Sequence, residues 1–383
     1  MSRKRPASTP LPVIFDTDAG HDDIMALLLL GGSESVELQL ITCVFGNQRI
    51  DKVRTNVANV SALLRKEKGR GRVHVAEGAQ GPMLVRRGSR SCPEIHGVSG
   101  LDLGPAGAPL LKAGAWPPRV PRAQTGVSFC CDTLDGQVHC GGQGSCAISA
   151  LISRLEKVTE PRSVSLIAVG PLTNIAILTK AAPHLLREKV REIVVMGGAS
   201  TVGNISAAAE FNILCDPEAA AIVLEEACLL TRVVMVPLEL THTAIVTEER
   251  LAALVVAAGG ESSLFGLLIK SLLTFFAKTY ADFFGFTDGP PLHDPLAAAF
   301  PLHPHLFTTK SVRIDVETSS RLCDGRTVVN EPSVGHPPNV DLVTGVDMDA
   351  FFALLGDALA EVAVTAEPTL TASRDAATSS TLS

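Results

Sequence analysis

Short apolar runs rich in Val, Ile and Leu recur along the chain at 13–15, 38–44, 73–76, 164–169, 193–196 and 233–236, each bounded by polar residues or glycine. Runs of this length and composition predict buried strands. Apolar positions at helical spacing follow most of them and predict helices over 22–30, 53–65, 173–179 and 217–226, then over 248–258, 262–284, 295–300 and 347–362. Strand and helix in alternation predict one α/β domain, Rossmann-like, with a mostly parallel central sheet and helices on both faces. Ligands of such sheets bind outside the carboxyl ends of the strands. The residues just after each strand run are therefore where chemistry is expected.

Two regions break the rhythm. Residues 105–146 are rich in Gly, Pro and Cys without periodicity, an atypical insertion inside a domain that otherwise spans 12–365. Residues 366–383 are poor in hydrophobes and, like the basic arm 1–11, are expected to be disordered.

The net charge of −7 and the lack of a basic stripe argue against a nucleic-acid partner. No apolar run is read as long enough to span a bilayer, and no membrane partner is expected. Nine scattered cysteines fit reduced thiols and a cytoplasmic protein better than a disulfide framework. Cys130, Cys131, Cys140 and Cys146 with His139 match no standard zinc spacing.

The densest chemistry lies in "VIFDTDAGHDDIMALLLL", residues 13–30, where Asp16, Asp18, Asp22 and Asp23 sit between two apolar blocks. Alternation along the strand puts Asp16 and Asp18 on one side. Helix capping accounts for one of the later pair, or both, but not for four acids. A hard divalent cation with oxygen ligands accounts for all of them. A competing reading is the Asp-x-Asp start of phosphoaspartate phosphatases of the haloacid dehalogenase type, which the His21-Asp22-Asp23 sequence disfavours.

"DTDAGHDDIMAL" resembles the D-x-D-x-G-x-D-D signature of the inosine–uridine nucleoside N-ribohydrolases, the nucleoside hydrolase family. "VFGNQ" (44–48), "IHGVSGL" (95–101), "VGPLTNIA" (169–176), "VVMGGA" (194–199), "AEFNILCDPEAA" (209–220) and "LHDPLAA" (292–298) resemble further family blocks in family order. Ala19 stands where the family commonly has proline, and the 105–146 insertion is a larger departure.

The resemblance implies the nucleoside hydrolase fold and a Ca²⁺ site made by Asp18, Asp23, Asp294 and the carbonyl of Val169, with Asp16 orienting it from behind. It implies Asp22, Asn47 and Asn212 for the ribose 2′ and 3′ hydroxyls. Asn204, Glu210 and the backbone of Met196 are implied for the 5′ hydroxyl. Asp18 is the implied general base, and His293, then His96, are the candidates to assist the departing base. The expected reaction is Ca-dependent hydrolysis of a ribonucleoside to ribose and free base by a homo-oligomer, dimeric or tetrameric. A single tryptophan, Trp116, rules out a tryptophan sandwich around a purine and favours a nonspecific or pyrimidine-leaning enzyme. Tyr280 is a candidate for base contact or for packing, whereas Phe211 and "CDPEAA" read as packing and capping. The alternative is a weak or inactive relative disabled by the insertion.

Overall fold

The computed structural model describes residues 9–64, 73–118, 127–129, 133–134, 137–138, 146–330 and 336–380. Its strands are β1 (Leu11–Thr17), β2 (Val36–Cys43), β3 (Val73–Glu77), β4 (Val127–Phe129), β5 (Thr133–Leu134), β6 (Gln137–Val138), β7 (Val164–Ala168), β8 (Val190–Met196), β9 (Arg232–Val236), β10 (Phe307–Val316), β11 (Thr327–Asn330) and β12 (Val340–Val346). Ten of them form one sheet in the order β11-β10-β12-β9-β8-β7-β1-β2-β3-β4, while β5 and β6 make a separate hairpin. Pairing is parallel from β12 through to β4, and antiparallel where β10 meets β11 and β12.

Both faces of the sheet are buried, as the unbroken apolar runs require. Val13, Phe15, Ile167, Val194 and Val234 enter one hydrophobic cluster; their neighbours Ile14, Leu166, Ile193 and Val233 enter the other. Helices His21–Gly32, Leu264–Phe284 and Met348–Ser380 supply the first cluster, and Cys146–Glu156, Thr173–Ala181 and Pro217–Glu225 the second. The chain runs outward from β1 to β4, then returns to β7 on the other side of β1. The order therefore reverses between β1 and β7, and a crevice opens at their carboxyl ends.

Three expectations need correction. Residues 366–380 continue the helix Met348–Ser380, because Ala366 and Leu370 find the core although the composition is polar. Helix Leu264–Phe284 is long and apolar enough to cross a bilayer, yet 56% of its apolar window is buried within the protein. Leu11, assigned to the arm, already opens β1, while residues 1–8 lie outside the described residues. Part of the insertion is ordered: Ala108–Lys112 is helical and β4 pairs with the outer edge of β3. Cys130, Cys131, His139 and Cys140 lie outside the described residues.

Candidate active site

β1 ends at Thr17, so Asp18 already lies in the turn that leads into helix His21–Gly32. Asp23 closes this turn. Its Oδ1 accepts from the backbone N–H of Asp18 at 3.2 Å and Ala19 at 3.1 Å, and from the Thr17 hydroxyl at 2.5 Å. Its Oδ2 accepts from Gly20 N at 2.8 Å and Asn47 Nδ2 at 2.9 Å. Five donors on one carboxylate fix its orientation without any cationic side chain.

Asp16 and Asp18, adjacent by alternation, meet different partners. Asp16 is fully buried, and its Oδ1 accepts from Thr42 on β2 and from Asn174 Nδ2 at 2.7 Å. Its Oδ2 has no partner, and burial pushes the carboxyl up to about 7. Asp18 is gripped by Asn47, whose thiol neighbour Cys92 donates to the amide oxygen at 3.2 Å. Burial and then the charge of Asp23 hold Asp18 well above the ordinary carboxylate range.

Asp22, Asp23 and Asp294 each place an oxygen within 4.8 Å of the others. Burial raises Asp22 to about 8, with Asp23 adding to the effect, although backbone N–H groups of His293 and Asp294 donate to it. Asp294 is raised well above its usual range by burial and then by Asp22. A cluster of buried acids without a countercharge is costly. An oxygen-ligated cation fits this donor set, and Val169, whose carbonyl accepts from Asn212 Nδ2, lines the same cavity. Asp22 thus joins the tight group in which Asp18 was expected, while Asp18 turns toward Asn47.

Asn212 Nδ2 donates to the carbonyls of Val169 at 2.8 Å and Met196 at 3.2 Å, tying the ends of β7 and β8 together. Glu210 caps helix Phe211–Cys215, accepting from Asn212 N at 2.9 Å, Ile213 N at 3.2 Å and Gly198 N at 3.0 Å. Burial still raises its pKa. Asn204 accepts from Phe211 N at 2.9 Å. Asp216 caps the next helix through Ala219 N, the structural role read from "CDPEAA".

His96 and His293 both line the cavity, and burial holds both well below the ordinary histidine range. His96 Nδ1 lies 3.1 Å from the His21 backbone N and 3.2 Å from His21 Nδ1, and His21 Nε2 is 2.9 Å from the Asp102 carbonyl. His293 lies between Thr241 Oγ1, 2.7 Å from Nδ1, and the Tyr280 hydroxyl, 2.6 Å from Nε2.

The cavity lies at the crevice between β1 and β7. Asp22, Asn47, Val169, Met196, Glu210, Asn212 and Asp294 are among its buried residues, and Glu94, Ile205, Phe283 and Phe284 are its exposed ones. Among the described residues no Lys or Arg lines it, and none of the insertion does. Of the predicted positions, Asp22, Asn47, His96, Val169, Met196, Asn204, Glu210, Asn212, His293 and Asp294 line it, whereas Asp18 and Asp23 lie behind Asn47, to which both are hydrogen-bonded, and Asp16 bonds to Asn174. Sequence reasoning missed His21, Thr42, Cys92, Asn174 and Thr241. Asn174 stood in a quoted block, whereas Thr241 carries no local signal.

Residues 13–353 match the family model described as inosine-uridine preferring nucleoside hydrolase. The chain is 36% identical over 356 residues to a probable ribonucleoside hydrolase of Dictyostelium discoideum, covering 91% of this chain and 94% of that one. It is also 36% identical over 352 residues to the pyrimidine-specific ribonucleoside hydrolase RihA of Citrobacter koseri, covering 91% and 98%. Among solved structures, a plant nucleoside hydrolase superposes with a TM-score of 0.71 at 27% identity, covering 92% of this chain and 99% of that one.

Proposed function

Since the chain belongs to the inosine-uridine preferring nucleoside hydrolase family and is a hydrolase of N-glycosyl bonds, we propose that it releases ribose and free base from ribonucleosides in a calcium-dependent reaction, with pyrimidine nucleosides its foremost substrates. The observation that carries this reading is the cavity itself: buried acids and amides, exposed apolar side chains beside Glu94, and no Lys or Arg among the described lining. A 5′-phosphate meets no countercharge there, which favours a nucleoside over a nucleotide. The same feature, with Asp16 sealed behind the cavity, argues against the phosphoaspartate reading.

Asp23, Asp294, Asp18 and the Val169 carbonyl would hold the cation, with Asp22 beside them and Asp16 behind. When bound, the cation supplies Lewis acidity that makes water a competent nucleophile near neutral pH. Asp18 takes the proton of that water as general base. Asn47 fixes the direction of both Asp18 oxygens during that transfer. Asp22, Asn47 and Asn212 would partner the ribose 2′ and 3′ hydroxyls, and Asn204, Glu210 and the backbone of Met196 the 5′ hydroxyl; all of them line the cavity. Positive charge that develops on the sugar as the bond breaks is stabilised by the surrounding carboxylates.

At the base end, His293, hydrogen-bonded to the Tyr280 hydroxyl, and then His96 are the groups that assist the leaving base. Trp116 packs in the core and is absent from the cavity lining, which supports a pyrimidine rather than a stacked purine. The RihA relatives point the same way. A homo-oligomer in the cytoplasm completes the proposal, by resemblance to the family.

The test is release of reducing sugar from uridine, cytidine, inosine and uridine 5′-monophosphate by calcium-loaded protein. Uridine and cytidine are expected to react fastest and the nucleotide not at all. Inosine outpacing both pyrimidines would overturn the base assignment, and equal turnover of the nucleotide would overturn the nucleoside assignment.

A further inference from the structure

Cys92, the residue before the short helix Pro93–His96, is buried, lines the cavity and belongs to none of the sequence blocks above. It meets Asn47 twice. Its backbone N–H donates to the Asn47 carbonyl at 3.2 Å, and its thiol lies 3.2 Å from the Asn47 side-chain oxygen Oδ1.

We propose that Cys92 is a positioning residue whose S–H holds the side-chain amide of Asn47 in the one orientation that delivers both amide hydrogens to Asp18 and Asp23. This rests on the hydrolase reading above, in which Asp18 is the general base.

A side-chain amide has a donor end with two hydrogens and an acceptor end with two lone pairs. Asn47 spends both hydrogens of Nδ2 on carboxylates, Asp18 Oδ1 at 3.1 Å and Asp23 Oδ2 at 2.9 Å. Its acceptor end therefore faces Cys92, and among the described residues no other donor reaches Oδ1. The match is reciprocal. Cys92 packs among Val44, Phe45, Ile95, Phe211 and Phe276, and the only other acceptor near its sulfur is the Asn47 backbone carbonyl, at 3.9 Å. Burial pushes the thiol well above its ordinary range, so the hydrogen stays on sulfur.

Asn47 is itself buried, so loss of the thiol leaves Oδ1 without a partner. An unmet buried acceptor is costly, and the amide relieves it by turning Oδ1 toward the cavity. That rotation draws Nδ2 away from Asp18 and Asp23. A thiol is a weak donor, so its loss costs less than the loss of Asn47. The backbone bond from Cys92 to Asn47 survives any substitution at the side chain, which separates the placement of the loop from the orientation of the amide.

The experiment compares kcat/KM for uridine in the wild type, Cys92→Ala, Cys92→Val and Cys92→Ser, each with and without Asn47→Ala. Cys92→Ala is expected to lose about fivefold, the worth of one weak hydrogen bond. Cys92→Val fills the space without a donor and is expected to lose as much, whereas Cys92→Ser, which restores a donor, recovers most of the loss. With Asn47→Ala already present, Cys92→Ala costs less than about twofold, because no amide remains to orient. A readout independent of turnover is hydrogen exchange of the Asn47 side-chain amide, identified in NMR spectra by its absence from Asn47→Ala. It is expected to quicken about fivefold in Cys92→Ala and to stay near the wild-type rate in Cys92→Ser. No loss in Cys92→Ala, an equal loss in both backgrounds, a serine variant no better than alanine, or unchanged amide exchange each overturns this inference alone. A folded wild type that releases ribose from no nucleoside overturns the reading on which it rests and this inference with it.

Discussion

Asn47 holds Asp18 at both carboxylate oxygens: its backbone N–H donates to Oδ2 at 2.7 Å and its side-chain Nδ2 to Oδ1 at 3.1 Å. The same Nδ2 gives its second hydrogen to Asp23 Oδ2 at 2.9 Å, so the amide spans the proposed base and a proposed cation ligand. Asn47→Ala removes two hydrogen bonds to charged groups, worth roughly 1.5–3 kcal/mol each. The expected loss in kcat/KM for uridine is about 10²-fold, with the melting temperature lowered by only a few degrees. Steady-state ribose release and thermal unfolding check both halves. Activity within about twofold of wild type would remove Asn47 from the mechanism.

Gly46 comes closer still to the same carboxylate. A Cβ at this position would stand 2.1 Å from Asp18 Oδ2, and the backbone φ of +155° disfavours a side chain as well. Gly46→Ala is therefore expected to abolish detectable ribose release by displacing Asp18. Its circular dichroism should remain that of a folded α/β protein. A fully active Gly46→Ala protein would show that Asp18 tolerates displacement.

Asp16 and Asp22 make the metal-free protein sensitive to alkali. Burial raises them to about 7 and about 8, so between the unfolded value near 3.8 and these values the folded state holds protons that the unfolded state has lost. Stability then falls as pH rises across that window, by up to about 1.4 kcal/mol per pH unit for each proton. Melting temperatures of chelated protein are expected to decline from pH 5 to pH 8, and added Ca²⁺ to restore most of the loss at pH 8. A flat profile without metal would contradict the uncompensated acid cluster.

The helix beyond residue 365 contributes to stability. Leu370 is fully buried, and Glu367 accepts from Phe265 N at 2.9 Å at the start of helix Leu264–Phe284. Burial of one leucine side chain contributes about 2 kcal/mol. Truncation after Ala366 is expected to lower the urea midpoint measurably while leaving KM unchanged. No shift in the midpoint would return this segment to the status of a disordered tail.

The parallel half of the sheet was legible because both its faces are buried, so β1, β2, β7, β8 and β9 read as continuous apolar runs. β10, in "FTTKSVRIDV", alternates polar with apolar residues and is largely exposed at one end, so no run marks it. The tail helix was missed for a related reason: a few apolar side chains at the right spacing suffice when a core surface waits for them. At the site, residues that bear formal charge or stand in dense motifs, such as Asp18, Asp22, Asp23 and Asp294, were visible. Groups that act through those residues were not, because Thr42, Cys92 and Thr241 acquire their roles only from neighbours distant in sequence.

The central claim is that the buried acids work by holding a cation. Its most direct test is uridine hydrolysis by protein stripped with a chelator, verified metal-free by elemental analysis, and then titrated with Ca²⁺. Ribose release should vanish on stripping and return on titration, while Asp18→Asn stays inactive at every Ca²⁺ concentration. Undiminished release by verified metal-free protein would contradict the account.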